Sequence, residues 1–183
     1  NKKKFENEKK YGLQTMADII GEQIKFYRAP SFSLNEKCLW ILEILASCGI
    51  KVSSSSISGI KIKNKIVPAY PFLWSNNIIE FPLQKHRILA FNFKYSGSGY
   101  LRILPEFVIN KILRKNEYNL FYFHPRDFDI GIPTTSLLPW YRNRMNRLGN
   151  SSTRVKLQNL IKEFHFISLG EACSKIKNDI IKL

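Results

Sequence analysis

Residues 24–52, IKFYRAPSFSLNEKCLWILEILASCGIKV, decide the fold class. A short apolar-aromatic run, 24–29, is followed by a helical pattern, 33–49, and then by a second β-branched run, 50–52. Within the middle segment Leu39, Leu42, Ile44 and Leu45 supply the apolar face. Ser33 with Glu36 has the spacing of a capping box, and Gly49 stands where a helix stops in the left-handed region. Strand and helix alternate with short connections, a pattern that predicts an α/β domain with functional residues at the carboxyl ends of its strands.

The flanks extend the alternation. Lys3 to Ile20 reads as a helix with Leu13, Met16, Ile19 and Ile20 on one face and Gly21 as its stop. After a serine-rich loop, SSSSISG at 53–59, the runs IIEFPL (78–83) and RILAFNF (87–93) read as strands and YSGSGY (95–100) as a flexible loop. LPEFVINKILRK (104–115) is a helix with Pro105 near its start, where a missing N–H is harmless. NLFYFHPRDFD (119–129) is then an apolar strand delivering His124 at its tip. Two basic helices follow, about Leu137–Leu148 and Thr153–Phe164, then a strand HFI and a final helix capped by Ser168 and Glu171. The strands are too few to close a barrel.

The chain of 183 residues, 44% hydrophobic and 13% aromatic, suits one globular domain and excludes a disordered one. Its formal charge of +15 admits a polyanion partner, but the lysines are dispersed, and only the first ten residues are densely basic. Basic residues interleaved with aromatics on one face, the mark of a nucleic-acid module, are not evident, so no nucleic-acid partner is expected. No apolar run approaches the roughly 20 residues of a membrane span. Cys38 and Cys48, on one predicted helix, are too far apart for a disulfide and Cys173 is alone, so reduced thiols and a cytoplasmic location are favoured, with envelope association open.

Familiar signatures are missing. His86, His124 and His165 lack metal-ligand spacing, SGSG is no phosphate loop, and there is no nucleophile elbow. Two stretches remain, Arg28-Ala29-Pro30-Ser31-Phe32-Ser33 and FYFHPRDFD. With IIEFPL, GSGYLRILP and the tail from Trp140 to Ala172 in the same order, they resemble the polysaccharide deacetylases, carbohydrate esterases, and in particular their exosortase-associated exopolysaccharide branch. The resemblance runs from about Tyr11 to Ala172.

That resemblance implies the second half of a distorted (β/α) barrel over residues 1–136, with a C-terminal helical extension over 137–183 packed on it. It also implies metal-dependent removal of N-acetyl groups from a polysaccharide substrate. The family's divalent metal, usually zinc, is held by motifs that precede the Arg-x-Pro motif. This chain would therefore hold no metal and be inactive alone, its partner being a missing N-terminal half of the domain. Arg28 would orient the base aspartate, and His124 would protonate the leaving amine. Pro30 and Phe32 would shape the groove floor, with core packing the alternative for Phe32. Asp127 or Asp129 would hold the second imidazole nitrogen. Tyr95, Tyr100 and Trp140 are candidates for stacking on sugar rings or, alternatively, for core and interface. Where the branch has Tyr-Asp-Ser-Ser, this chain has Val52-Ser53-Ser54-Ser55, and the Trp-Glu after His-Pro is Arg126-Asp127. A non-catalytic polysaccharide-binding relative is the first competing expectation, and a basic nucleic-acid-binding module, suggested by charge alone, ranks last; a surface arginine at a strand end competes for Arg28 and a capping histidine in a turn for His124.

Overall fold

A computed structural model describes residues 2–88, 91–93, 97–176 and 180–183. They form two compact units, Asn1–Leu83 with Leu169–Leu183, and Gln84–Ser168. The first contains α1 (Lys2–Ile20), β1 (Phe26–Tyr27), α2 (Trp40–Ser47), β2 (Val52–Ser53), β3 (Lys61–Ile62), β4 (Lys65–Ile66), β5 (Phe72–Leu73) and β6 (Ile79–Glu80). The second contains β7 (His86–Ile88), β8 (Phe91–Phe93), α3 (Ser98–Ile103), α4 (Glu106–Lys115), α5 (Trp140–Arg147) and α6 (Asn150–Glu163). The chain then returns to the first unit with α7 (Leu169–Lys175).

In the first unit the sheet order is β1-β2-β6-β5. Strands β1, β2 and β6 are parallel, with Tyr27 opposite Ser53 and Ser53 opposite Glu80, and β5 runs antiparallel to β6. Helix α2 makes the β1-to-β2 crossover, and Gly49 at φ 86° stops it as its sequence position implies. The start of the helix differs from expectation. Asn35, not Ser33, is the cap: its side chain accepts the Lys37 N–H at 3.0 Å, and a 3-10 turn, Glu36–Cys38, precedes α2. Ser33 is already committed to the preceding turn, donating its own N–H to the Pro30 carbonyl at 3.2 Å. Leu34, Leu42, Leu45, Ile50, Phe72 and Trp74 lead the core. Of the apolar face of α1 only Leu13 packs against that core; Met16, Ile19 and Ile20 stay exposed. A hairpin unseen in the sequence, β3–β4, turns on Lys63 and Asn64 at φ 46° and 63°, a left-handed pair made without glycine.

The core of the second unit is Leu101, Ile109, Ile112, Leu113 and Leu160, from α3, α4 and α6. The run 87–93 is not one strand, since β7 and β8 pair antiparallel with each other. Part of YSGSGY is helical, beginning at Ser98; Tyr95 lies outside the described residues. Among the described residues the stretch 119–124 makes no ladder, only one bridge between Tyr122 and Gly97. A side chain stands in for a neighbouring strand: Gln84 accepts the Leu120 N–H at 3.0 Å and donates to the Tyr118 carbonyl at 2.8 Å. His165–Ile167 likewise carries no strand. No helix of the described residues is long and apolar enough to cross a membrane.

Candidate functional site

The carboxyl ends of β1, β2 and β6 carry the first group of candidate residues. Beyond β1 the chain must turn at once, and the turn is strained. Ser31 and Phe32 both have positive φ, 57° and 54°, although neither is glycine. Such conformations cost about 1–3 kcal/mol each and persist only where the surroundings impose them. Here Ser55 imposes them from both sides. Its hydroxyl oxygen accepts the Ala29 N–H at 2.9 Å, and its carbonyl accepts the Leu34 N–H at 3.0 Å.

Ser55 is in turn held by Glu80, which sits at the end of β6 with no exposed surface. Glu80 Oε1 accepts the N–H groups of Ser55 and Ser56, each at 2.7 Å, and the Ser56 hydroxyl at 2.9 Å. Its Oε2 accepts the Trp74 indole N–H at 3.1 Å. No cation among the described residues pairs with this buried carboxylate. Four donors replace its hydration instead, the arrangement under which a buried charge is tolerated.

Arg28 follows β1 directly and is exposed. Its Nη2 donates to Ser54 Oγ at 3.1 Å, and its guanidinium lies 5.0 Å from the centre of the Phe32 ring. The strained turn therefore has a visible product: it brings the Phe32 face under the Arg28 fork. Phe32 itself is 6% exposed and Pro30 is exposed beside it. Ser53 is wholly buried and hydrogen-bonds Ser55 Oγ at 2.9 Å, so it presents no group to solvent.

The second group lies in the other unit, around the 3-10 turn Pro125–Asp127. His124 is extended and exposed, its ring meeting Tyr122 edge-on at 5.7 Å. Neither acid takes its second ring nitrogen, contrary to expectation. Asp127 is fully buried and accepts the His124 backbone N–H at 2.7 Å, while Asp129 accepts the Gly131 N–H at 2.8 Å. Both carboxylates are spent on closing turns. Asp127 also lies 3.6 Å from Arg102 Nε, an ion pair too long for a hydrogen bond.

Arg102, 8% exposed, ties this turn to α5 and α6 by donating through Nη1 to the Asn146 carbonyl and to Asn150 Oδ1, both at 2.7 Å. Asn150 passes the connection on to the carbonyls of Arg126 (3.0 Å) and Asp129 (2.7 Å). Gly149, at φ 79°, allows α6 to approach this closely, because a Cβ there would stand 2.7 Å from the Arg102 carbonyl carbon. Lys156 Nζ donates to the carbonyls of Leu101 and Arg102 in α3 and of Leu104 just after it, and burial lowers its pKa. The tip that carries His124 is thus fixed from behind by a buried polar network.

Tyr100, on α3, is 40% exposed; Trp140, opening α5, is 76% exposed and touches Tyr141 edge-on at 6.2 Å. Among the described residues no three His, Cys, Asp or Glu side chains converge as a metal site would require. Glu80, Arg102 and Asn150 escaped the sequence reading. Glu80 and Arg102 have a visible signal there, a charge inside an apolar run, at IIEFPL and YLRILP.

The comparison with curated proteins gives no match, and neither does that with solved structures. Residues 54–174, well over half the chain, match the family model described as Domain of unknown function (DUF3473). That span takes in Ser54, Ser55, Glu80, Arg102, His124, Asp127 and Gly149, so both polar networks draw on it, and the chain belongs to the DUF3473 family.

Proposed function

We propose that this chain supplies part of the active site of a polysaccharide de-N-acetylase, in the second half of a distorted (β/α) barrel. The observation that carries the reading is the Arg28 turn. Two non-glycine residues are held at positive φ by Ser55 and Glu80, and the result is an exposed, oriented guanidinium at the carboxyl end of parallel strands. The same turn buries Phe32, and it also sets the Arg28 fork over the Phe32 ring at a strand end, which at a site is pre-organisation. The motif resemblance names the task, which is to hold a carboxylate base in one geometry through a rigid fork.

In this reading His124 hands a proton to the departing amine, a contribution of about 10² to 10⁴ in rate. The buried Asp127 fixes the backbone on which the imidazole is mounted, and Pro30 and Phe32 lie beside the arginine. The described residues offer no fitting set of zinc ligands, and in this reading the metal would be held by the other half of the domain. The test is acetate release from an N-acetylglucosamine oligomer by the protein that joins this chain to such a metal-binding half. Arg28→Ala and His124→Ala are each expected to lower kcat by about 10²-fold or more with the circular dichroism spectrum unchanged. Full activity in both variants would sink the proposal.

A second reading, polysaccharide binding without turnover, is favoured by Ser53. The resembling branch has an aspartate there, whereas this chain has a hydroxyl turned inward to Ser55. Polymer affinity without acetate release in the complete protein would select it.

A further inference from the structure

Helix α5 is inside out. An isolated amphipathic helix on a protein surface normally turns its apolar stripe to the core. Here the inward contacts are polar: Asn143 bonds the carbonyls of Thr135 (2.8 Å) and Leu138 (3.1 Å), and the Asn146 carbonyl takes Arg102. No residue of α5 is buried. At about 100° per residue, Trp140, Tyr141, Met145 and the following Leu148 fall on one arc facing away from Asn143 and Asn146. They are 76%, 50%, 51% and 43% exposed, and the preceding Leu137 is 89% exposed. Arg144 lies within that arc and Arg142 and Arg147 flank it, all three exposed.

The charge along this stretch of the sequence has one sign. From Ile130 to Lys162 there are six basic residues and no Asp or Glu. A mere solvated face would not expose tryptophan, tyrosine, leucine and methionine together, and the charge beside them, all of one sign, calls for an anionic partner. A surface that takes both apolar rings and guanidinium groups is the headgroup boundary of an anionic bilayer, where Trp and Leu sit at the acyl boundary and arginines meet phosphates.

We infer that Leu137 and α5 form a docking surface for an anionic lipid membrane. This does not depend on the deacetylase reading, because none of its residues belongs to the Arg28 or His124 networks except Asn146, through its backbone.

The test is co-sedimentation of the chain with phosphatidylcholine vesicles, with and without phosphatidylglycerol, while tryptophan emission is recorded. Binding is expected only to the vesicles holding phosphatidylglycerol, with a blue shift in emission. Replacing Arg142, Arg144 and Arg147 together by Gln should weaken it by about fivefold per arginine. Leu137→Ser with Trp140→Ser should weaken it at least about tenfold. Both variants change exposed side chains, and circular dichroism checks that they fold. Equal binding to neutral vesicles, or no binding to either, overturns the inference. So does an apolar double variant that binds as the parent does, which would mark a plain polyanion site; tighter binding of a DNA duplex than of anionic vesicles would do the same.

Discussion

Replacing Glu80 by glutamine changes one atom and should cost the first unit about 2–4 kcal/mol. The carboxylate receives three donors on Oε1 and one on Oε2, at 2.7, 2.7, 2.9 and 3.1 Å, with no exposure to water. A glutamine amide can offer oxygen to only one side. Its better orientation keeps the carbonyl toward Ser55 and Ser56 and sets its NH₂ against the Trp74 indole N–H. That leaves two buried donors, the amide NH₂ and the indole N–H, facing each other, each worth about 1–3 kcal/mol, and turns three charge-assisted bonds into neutral ones, each weaker by about 0.5–2 kcal/mol. Against this, the variant no longer buries a charge, which returns several kcal/mol. The loss wins because the donors cannot follow water outward. Urea denaturation read by Trp40 and Trp74 fluorescence gives the change, with the slope expected to stay constant. A double-mutant cycle sharpens it: Trp74→Phe removes the facing N–H, so the double variant should be less damaged than the two single losses predict. A Glu80→Gln protein within about 0.5 kcal/mol of the parent would refute the claim that this carboxylate organises the 53–56 loop.

Two further outcomes follow from the same kind of accounting. Gly149→Ala sets a Cβ against the Arg102 carbonyl at a left-handed φ of 79°, and should lower the stability of the second unit by about 3 kcal/mol or more, seen as a lower melting temperature; an unchanged Tm would mean that α6 and α3 can separate freely. Burial raises the pKa of the Tyr27 hydroxyl above 10.0, so the unfolded chain ionises first. Stability from this group is complete below about pH 10 and is lost as pH rises toward the folded value; Tyr27→Phe should flatten that alkaline decline in urea midpoints, and an unaltered slope would count against it.

What could be read from sequence was what local chemistry decides. Gly21 and Gly49 stop their helices at φ 80° and 86° because left-handed closure is a property of the residue itself. Helix α4 and the strand–helix–strand order beginning at β1 have the same origin in short-range pattern. The misses arise where a choice depends on who is nearby. Ser33 and Asn35 are both able caps, and only the turn that consumes Ser33 decides between them. An apolar alternation such as NLFYF reports a half-buried extended chain but not whether a strand lies beside it, and here the neighbour is the Gln84 side chain. Arg28 and His124 stood out as candidates because their flanks, Pro30 with Phe32 and Pro125 with Asp127, are local. The supports of Arg28 and His124 did not: Glu80 stands opposite Ser53 in register, and Arg102 meets Asn150 from 48 residues away.

The first unit is closed by its last residues. Leu73 donates to the Ile181 carbonyl at 2.8 Å and accepts the Leu183 N–H at 2.9 Å, extending the exposed side of β5 with a segment that is made only after the whole of Gln84–Ser168. During synthesis, then, the intervening unit emerges complete while the sheet that precedes it still has an open edge at β5. An unpaired edge is a template for other chains, and domains generally fold as they appear, the earlier ones first. This chain inverts that order for one strand position, and the nascent first unit has to wait, edge uncovered, for the final residues to arrive. A released chain truncated after Ser168 should accordingly hold a protease-resistant second unit beside a first unit that is still cleavable and prone to associate.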